Sequence, residues 1–318
     1  YHVINKTIFA KKGNMPKKIF LLVLLIFPSL CNSQEYVDIF TINYRESKDT
    51  SFENSSENTT IKSFQTAITL PIVLNSKYVL ITGINYSSSS LQLFPETSNN
   101  HLYSTRLTAG ISINHSEKWK GNYILLPKIA SDYKNISNND FYIGGLLEWK
   151  LKKNKNLNYN FGLYASTEAF GIFTTPIFGL YYKSSNERLE INLSLPIATD
   201  INYRISKNTA IGFDYIGLGD SYKFMGENNL DQYYTQNNSL EFSTYLQYGI
   251  FNKSVLLTFK SGYSTNKFEV YSIDEKIDLA LSSFRFGDHR TQLNTNLTSS
   301  IFFKIGAKYR FYFASKKQ

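Results

Sequence analysis

Catalysis needs nucleophiles, bases or metal ligands close together, and this sequence keeps them apart. Past residue 33 it holds three histidines, His101, His115 and His289, none at metal-ligand spacing from another and none beside a thiol. No zinc or other metal set is expected from that pattern. Asp288-His289 near Ser282 and Ser283, and His115-Ser116, are the only pairings a hydrolase could use. Both sit in polar stretches that read as loop and turn, so solvated side chains are expected there, not an enzyme. Gly144-Gly145 and Gly217-Leu218-Gly219 invite a phosphate-loop reading. Neither leads into a helix opening with Lys-Ser/Thr, so close strand approach or bends account for them, and no cofactor is expected.

The remaining chemistry is that of fixed charge at even spacing. Lys304, Lys308 and Arg310 fall on alternate residues of a run whose other positions are Ile301, Phe303, Ile305, Ala307, Tyr309, Phe311 and Phe313. Successive side chains of a strand point to opposite faces, so this run has one apolar and one basic face. The same division recurs upstream. Phe141, Ile143, Gly145, Leu147, Trp149 and Leu151 oppose Tyr142, Gly144, Leu146, Glu148 and Lys150. Leu240, Phe242, Thr244, Leu246, Tyr248 and Ile250 oppose Glu241, Ser243, Tyr245, Gln247 and Gly249. Tyr103, Thr105, Leu107, Ala109, Ile111 and Ile113 oppose Ser104, Arg106, Thr108, Gly110, Ser112 and Asn114, and Leu157 to Ser166 follows suit. Runs this long exceed the five or six residues of an ordinary core strand.

Short polar connections alternate with longer ones over the first half of the chain. The longer ones cover residues 46–60, 88–100, 131–139 and 225–236 and are rich in Asn, Ser, Thr and Asp. Tight turns on one side and loops on the other define an up-and-down barrel. The expected fold is therefore all-β: an antiparallel up-and-down transmembrane β-barrel of about 12–14 strands. Two places set that range. Residues 189–205 read as one long strand or a short hairpin, and residues 276–286 as a further strand or a loop.

Composition excludes other classes. The chain has 318 residues, with 24 Phe, 24 Tyr and 17 Gly. The mean hydropathy of −0.27 excludes a multi-pass helical membrane protein, and the aromatic content excludes disorder. Residue 1 is Tyr, and Met15 opens a better start, so residues 1–14 are read as an upstream non-native leader. Residues 15–33 are read as a signal peptide: Lys17-Lys18, then nine apolar residues from Ile19 to Phe27, then Pro28-Ser29-Leu30-Cys31-Asn32-Ser33. Nine residues are too few to cross a hydrocarbon core of about 30 Å as a helix. The barrel itself is assigned to residues 34–318. Removing residues 1–33 takes away five lysines, no acid and Cys31, the sole cysteine, leaving 29 bases against 25 acids. That weak excess implies no nucleic-acid partner.

The signal, the cysteine-free body, the alternation and the closing run Ile305-Gly306-Ala307-Lys308-Tyr309-Arg310-Phe311-Tyr312-Phe313 resemble bacterial outer-membrane β-barrel proteins. Leu195-Pro196-Ile197 and Ile201-Asn202-Tyr203-Arg204-Ile205-Ser206 are similar to phrases in uncharacterised barrels of Bacteroidetes-type bacteria. The resemblance implies the outer membrane of a Gram-negative bacterium, outer-membrane lipid and the barrel-assembly machinery as partners, and no cofactor. It does not imply a substrate.

In such a barrel the inward, pore-lining candidates are Arg106, Glu148, Lys150, Glu241, Lys260, Lys304, Lys308 and Arg310, six bases against two acids. Two readings stay open. Interior ion pairing would plug the lumen, while a positively biased passage would favour small anionic solutes. Lys304, Lys308 and Arg310 share one face of one strand, so acids on neighbouring strands, water or a ligand must relieve their repulsion. A pore or transporter is the preferred function. A structural or adhesive surface barrel with partner-binding loops is the alternative, and a barrel-embedded lipid hydrolase is the third possibility.

Overall fold

The computed structural model describes residues 36–226 and 231–312. The segment read as leader and signal peptide, and the terminal aromatic Phe313, lie outside the described residues. Eleven consecutive strands begin the chain: β1 (Tyr36–Ser51), β2 (Asn58–Val73), β3 (Tyr78–Leu91), β4 (Asn100–Asn114), β5 (Trp119–Ser131), β6 (Phe141–Lys152), β7 (Leu157–Glu168), β8 (Gly171–Lys183), β9 (Leu189–Leu195), β10 (Ala198–Arg204) and β11 (Thr209–Gly217). Eight follow: β12 (Asp220–Met225), β13 (Gln232–Asn237), β14 (Leu240–Ile250), β15 (Val255–Ser264), β16 (Phe268–Ser272), β17 (Leu279–Leu281), β18 (Phe284–Phe286) and β19 (Ser300–Tyr312).

Fourteen of these make a closed antiparallel barrel. Each of β1 to β10 pairs with its successor, β10 with β11, and the ring continues through β14, β15 and β19. The β1–β19 ladder, from Tyr36↔Tyr312 to Glu46↔Phe303, closes it. Residues 189–205 are a hairpin, β9–β10. The turns at 74–77, 115–118, 153–156, 184–188, 205–208 and 251–254 define one rim of the barrel, on which β1 also begins and β19 ends.

The alternation drives side-chain placement. On β6, Phe141, Ile143, Leu147 and Trp149 are exposed on the outer face while Tyr142 is buried inside. On β19, Ile301, Phe303, Ile305 and Tyr309 face out and Phe302 is buried. Ten residue steps from Phe141 to Leu151, at about 3.3 Å each and a tilt of about 40°, give a band about 25 Å tall, the height of a bilayer's hydrocarbon belt. Aromatic residues mark its turn-side edge at Trp119, Trp149, Tyr203, Tyr248 and Tyr309. Leu257, Phe259 and Tyr263 on β15 stand beside Ile301, Phe303 and Ile305 of β19, all exposed. Two adjacent strands thus expose on the order of several hundred Å² of apolar surface, which a soluble monomer rarely leaves uncovered.

At the loop-side rim the polar segments behave differently from the sequence expectation. Residues 225–236 are not an open loop: Met225 ends β12, and β13 occupies Gln232–Asn237. These two strands pair with each other, and β13 pairs with β16 from the next long connection. Residues 276–286 hold a short hairpin, β17–β18. The β12–β13–β16 sheet sits inside the mouth. Phe224, Tyr234, Phe268, Val270 and Tyr271 pack against the inward residues Ile61, Leu91, Leu102, Ala130 and Tyr142 of β2 to β6. The protein's main apolar core is therefore this plug against the inner wall, not the barrel's middle.

Replacing Leu147 by Arg puts a charge on the apolar belt. In phospholipid vesicles it is expected to cost about 2–4 kcal/mol of unfolding free energy. If water covered that face, the cost measured by denaturant titration would stay within about 0.5 kcal/mol.

Candidate functional site

The lumen is the place to look for function, and β1, β11, β14, β15 and β19 supply most of its charge. Lys304 and Glu241 project inward from β19 and β14, 4.0 Å apart. Arg45 of β1 reaches the same carboxylate at 2.8 Å and lies 4.6 Å above the Phe302 ring. Lys260 of β15 pairs with Asp214 of β11, which also accepts from the Ser243 hydroxyl. Nearer the turn-side rim, Arg310 makes a forked pair with Asp38 of β1, Nε at 2.6 Å and Nη2 at 3.0 Å, and Lys308 reaches the same carboxylate at 3.3 Å. The Arg310 guanidinium also lies 3.4 Å over the Tyr36 ring, and the Tyr36 hydroxyl donates to Glu190 at 2.5 Å.

The three bases sharing one face of β19 are thus each met by an acid on another strand, Lys308 and Arg310 by Asp38 of the adjacent β1 and Lys304 by Glu241 of β14, one strand beyond the adjacent β15. The cross-strand register dictates this. Arg310 stands opposite Asp38, and Lys304 opposite Lys260 on one side and Arg45 on the other, so the nearest acids are Glu241 and Asp214, farther round the wall. Glu148 and Lys150 are 3.5 Å apart on β6, with the Asn122 amide donating to Glu148 at 2.7 Å. Arg106 lies on β4 opposite Lys128 of β5, away from the β19 cluster. Asp38, Asp200, Asp214, Glu190 and Arg45 are lumen charges that the sequence reading passed over. All but Glu190 and Arg45 are single acids within mostly uncharged runs, and a register is needed to show whom they meet.

Cavities remain among these side chains. One, of about 80 Å³, opens at the turn-side rim between Glu190, Asp200, Arg204, Lys253, Lys308 and Arg310. Another, of about 240 Å³, lies between Glu148, Lys150, Asn160, Tyr181 and Ser194.

Polar pins fasten the plug to the wall. Glu168, at the top of β7, accepts from Lys128 at 2.8 and 3.0 Å, from the Ser166 hydroxyl at 3.0 Å, and from the Ser221 hydroxyl of β12 at 2.6 Å. Lys128 also reaches Asp220 at 3.1 Å. Lys223 of β12 pairs with Asp140 at 3.1 Å, both side chains almost wholly buried. Within the plug, Arg290 grips Asp288 through two nitrogens at 2.9 Å and lies 4.0 Å from the Tyr271 ring centre. Those hydrogen bonds hold the Asp288 carboxyl down at about 2. The depressed value means the contact is complete above the ordinary carboxylate range and loosens only as pH falls from about 4 toward 2. The carboxylate is engaged by arginine, and His289 has no part in that contact. His115 Nε2 lies 3.0 Å from the Tyr123 hydroxyl. Among the described residues no three His, Cys, Asp or Glu side chains gather as a metal set.

Glu168→Gln leaves the Lys128 charge with only Asp220 in a buried site. Breaking one partner of such a pair costs about 3–5 kcal/mol. The loss should appear as faster amide hydrogen exchange in β12 and β13 with the wall strands still protected; equal protection in both would show that the pin does not hold the plug.

No curated protein matches the sequence. Among solved structures the chain is similar to the NanC porin (10% identity, 84% of this chain and 98% of that one, TM-score 0.36). It is also similar to the KdgM porin (9%, 86% and 99%, 0.35) and to an outer-membrane channel from Pseudomonas putida F1 (8%, 86% and 94%, 0.42). Residues 30–310 match the family model of a domain of unknown function, DUF6268, and the chain belongs to that family.

Proposed function

We propose that this barrel sits in the outer membrane of a Gram-negative bacterium, inserted by the barrel-assembly machinery, and passes small solutes through a lumen that the described state holds closed. One observation carries the reading. The fourteen wall strands close on one another without using β12, β13 or β16, so the plug can leave the mouth while every wall ladder stays paired. A plug that is separable from its barrel is a gate in its construction. A purely structural wall would have no need of one.

In this reading Arg106, Glu148, Lys150, Glu241, Lys260, Lys304, Lys308 and Arg310 line the passage together with Arg45, Asp38 and Asp214. The turn-side vestibule supports a preference for anions. Arg204, Lys207, Lys253, Lys308 and Arg310 border it against Glu190 and Asp200. Even after Asp38 is set against Lys308 and Arg310, the rim keeps a positive excess, which attracts small anions and repels cations.

Two measurements test this in planar bilayers. Cutting out residues 219–238 and 266–298, with short linkers, should turn rare openings into a steady conductance; no channel events in either form would end the pore reading. Replacing Lys207, Lys253 and Lys308 together by Gln leaves the Arg310–Asp38 pair intact. It should move the reversal potential in a salt gradient toward that of a non-selective pore, and an unchanged potential would remove the anion preference.

A further inference from the structure

The wall is not equally tall all round. β8 has 13 residues, but β9 and β10 have only 7 each. The β8–β9 ladder stops at Phe178↔Leu195, so Gly171 to Ile177 of β8, paired with β7 on one side, rise beyond the tip of the β9–β10 hairpin with no wall strand on the other. β17 occupies that edge instead. It runs parallel to β8 with Leu279, Ala280 and Leu281 opposite Ile172, Phe173 and Thr174. Ile277 N–H donates to the Phe170 carbonyl at 2.8 Å, Ser282 N–H to the Thr174 carbonyl at 2.8 Å, and the Thr175 and Ser282 hydroxyls meet at 2.5 Å.

The β17–β18 hairpin is built as a piece of wall. Opposite residues share a face, so Leu279, Leu281, Phe284 and Phe286 continue the outer surface of Ile172, and Phe284 is 67% exposed. Ala280 and Arg285 face inward, Arg285 held to Glu269 of the plug at 2.6 Å. The panel differs from every wall strand in its attachment. It holds β8 by a three-residue ladder, and among the described residues β18 pairs with β17 alone. The seat is also specialised. Gly171 has a φ of +126°, and a Cβ there would lie 2.4 Å from the Ile277 carbonyl oxygen, so only glycine lets the panel's first residue approach.

Behind the panel, apart from the Arg285–Glu269 pair, the lumen is aromatic. Phe173 lies 6.0 Å from the Tyr164 ring and 6.5 Å from Phe170, beside the plug core. Below it the β1–β19–β15–β14–β11 side of the wall presents the Arg45–Glu241–Lys304, Lys260–Asp214 and Arg310–Asp38 pairs to the lumen. An apolar molecule reaching the loop-side end meets a compatible surface sideways and a desolvation barrier straight ahead.

We propose that the β17–β18 panel is a side door, which swings off β8 to let small apolar or amphipathic solutes pass from the loop-side lumen into the surrounding lipid. The proposal rests on the membrane location given above and is independent of axial passage of anions.

The test staples the panel in place. Thr175→Cys and Ser282→Cys are combined with Cys31→Ser in the full chain, expressed in a Gram-negative host. Fractionation first checks that the barrel is in the outer membrane, which separates failure of the location from failure of the door. The probe is N-phenyl-1-naphthylamine, which fluoresces on reaching lipid. Cells with the wild-type barrel should take it up several-fold faster than cells without it. Oxidising the staple should abolish the gain, and a reductant should restore it. Gly171→Val, which unseats the panel without a disulfide, should raise uptake above wild type. Nitrate conductance of the purified protein in planar bilayers should be the same with the staple oxidised or reduced. Equal dye uptake in the oxidised and reduced states would overturn the proposal. So would a staple that lowers dye uptake and nitrate conductance together, because the panel would then be part of the axial plug.

Discussion

The pairing of backbone N–H and C=O groups around an unbroken ring is the constraint on which the rest of this molecule depends. A strand edge facing hydrocarbon leaves polar groups unsatisfied at several kcal/mol each, and only a closed cylinder avoids that cost. Here the demand is met by β1 and β19, whose ladder joins the two ends of the described chain. Every other feature is licensed by that closure. Because the ring closes without them, the 218–239 and 265–299 connections are free to do something else, folding inward except where β17–β18 lies on the edge of β8.

What they do is build the apolar core that the cylinder lacks. A barrel turned inside out toward lipid has no greasy interior of its own; its lumen is lined with Arg, Lys, Asp, Glu and Asn. The aromatic residues of β12, β13 and β16 therefore find apolar partners at the loop-side ends of the wall, where the inward positions of β2 to β6 switch to Ile61, Leu91, Leu102, Ala130 and Tyr142, and in the adjoining Phe52, Leu93 and Phe170. The buried Lys128–Glu168 and Lys223–Asp140 pairs contribute to placement more than to net stability, since desolvation offsets much of their attraction. Such contacts hold a plug in one position without welding it there.

Much of the wall could be read residue by residue. The two-residue period of Ile301 to Tyr312, or of Phe141 to Lys152, assigns each side chain to lipid or lumen with no knowledge of its neighbours. The acids that meet Lys304, Lys308 and Arg310 could not be read this way. Asp38 precedes Arg310 by most of the chain, and a register is needed to bring them together. The plug was missed for a different reason. Strands buried on both faces carry no alternation, and β12, β13 and β16 are short and set among Asn, Ser and Asp, so they resemble loops. The signal was the aromatic density itself: Tyr222, Phe224, Tyr233, Tyr234, Phe268 and Tyr271 are too apolar for open loops.

The sequence by itself determined the strand class, the turn positions, the lipid and lumen faces and the inward placement of the basic residues on β19. These are local properties, set by the direction in which successive Cβ atoms leave an extended chain. Only the tertiary structure decided how many strands the wall contains, which acid answers which base, that the mouth is filled, and that β17 covers the height β9 leaves open. Those depend on contacts between residues far apart in the chain, where closure and register, not local pattern, select the partner.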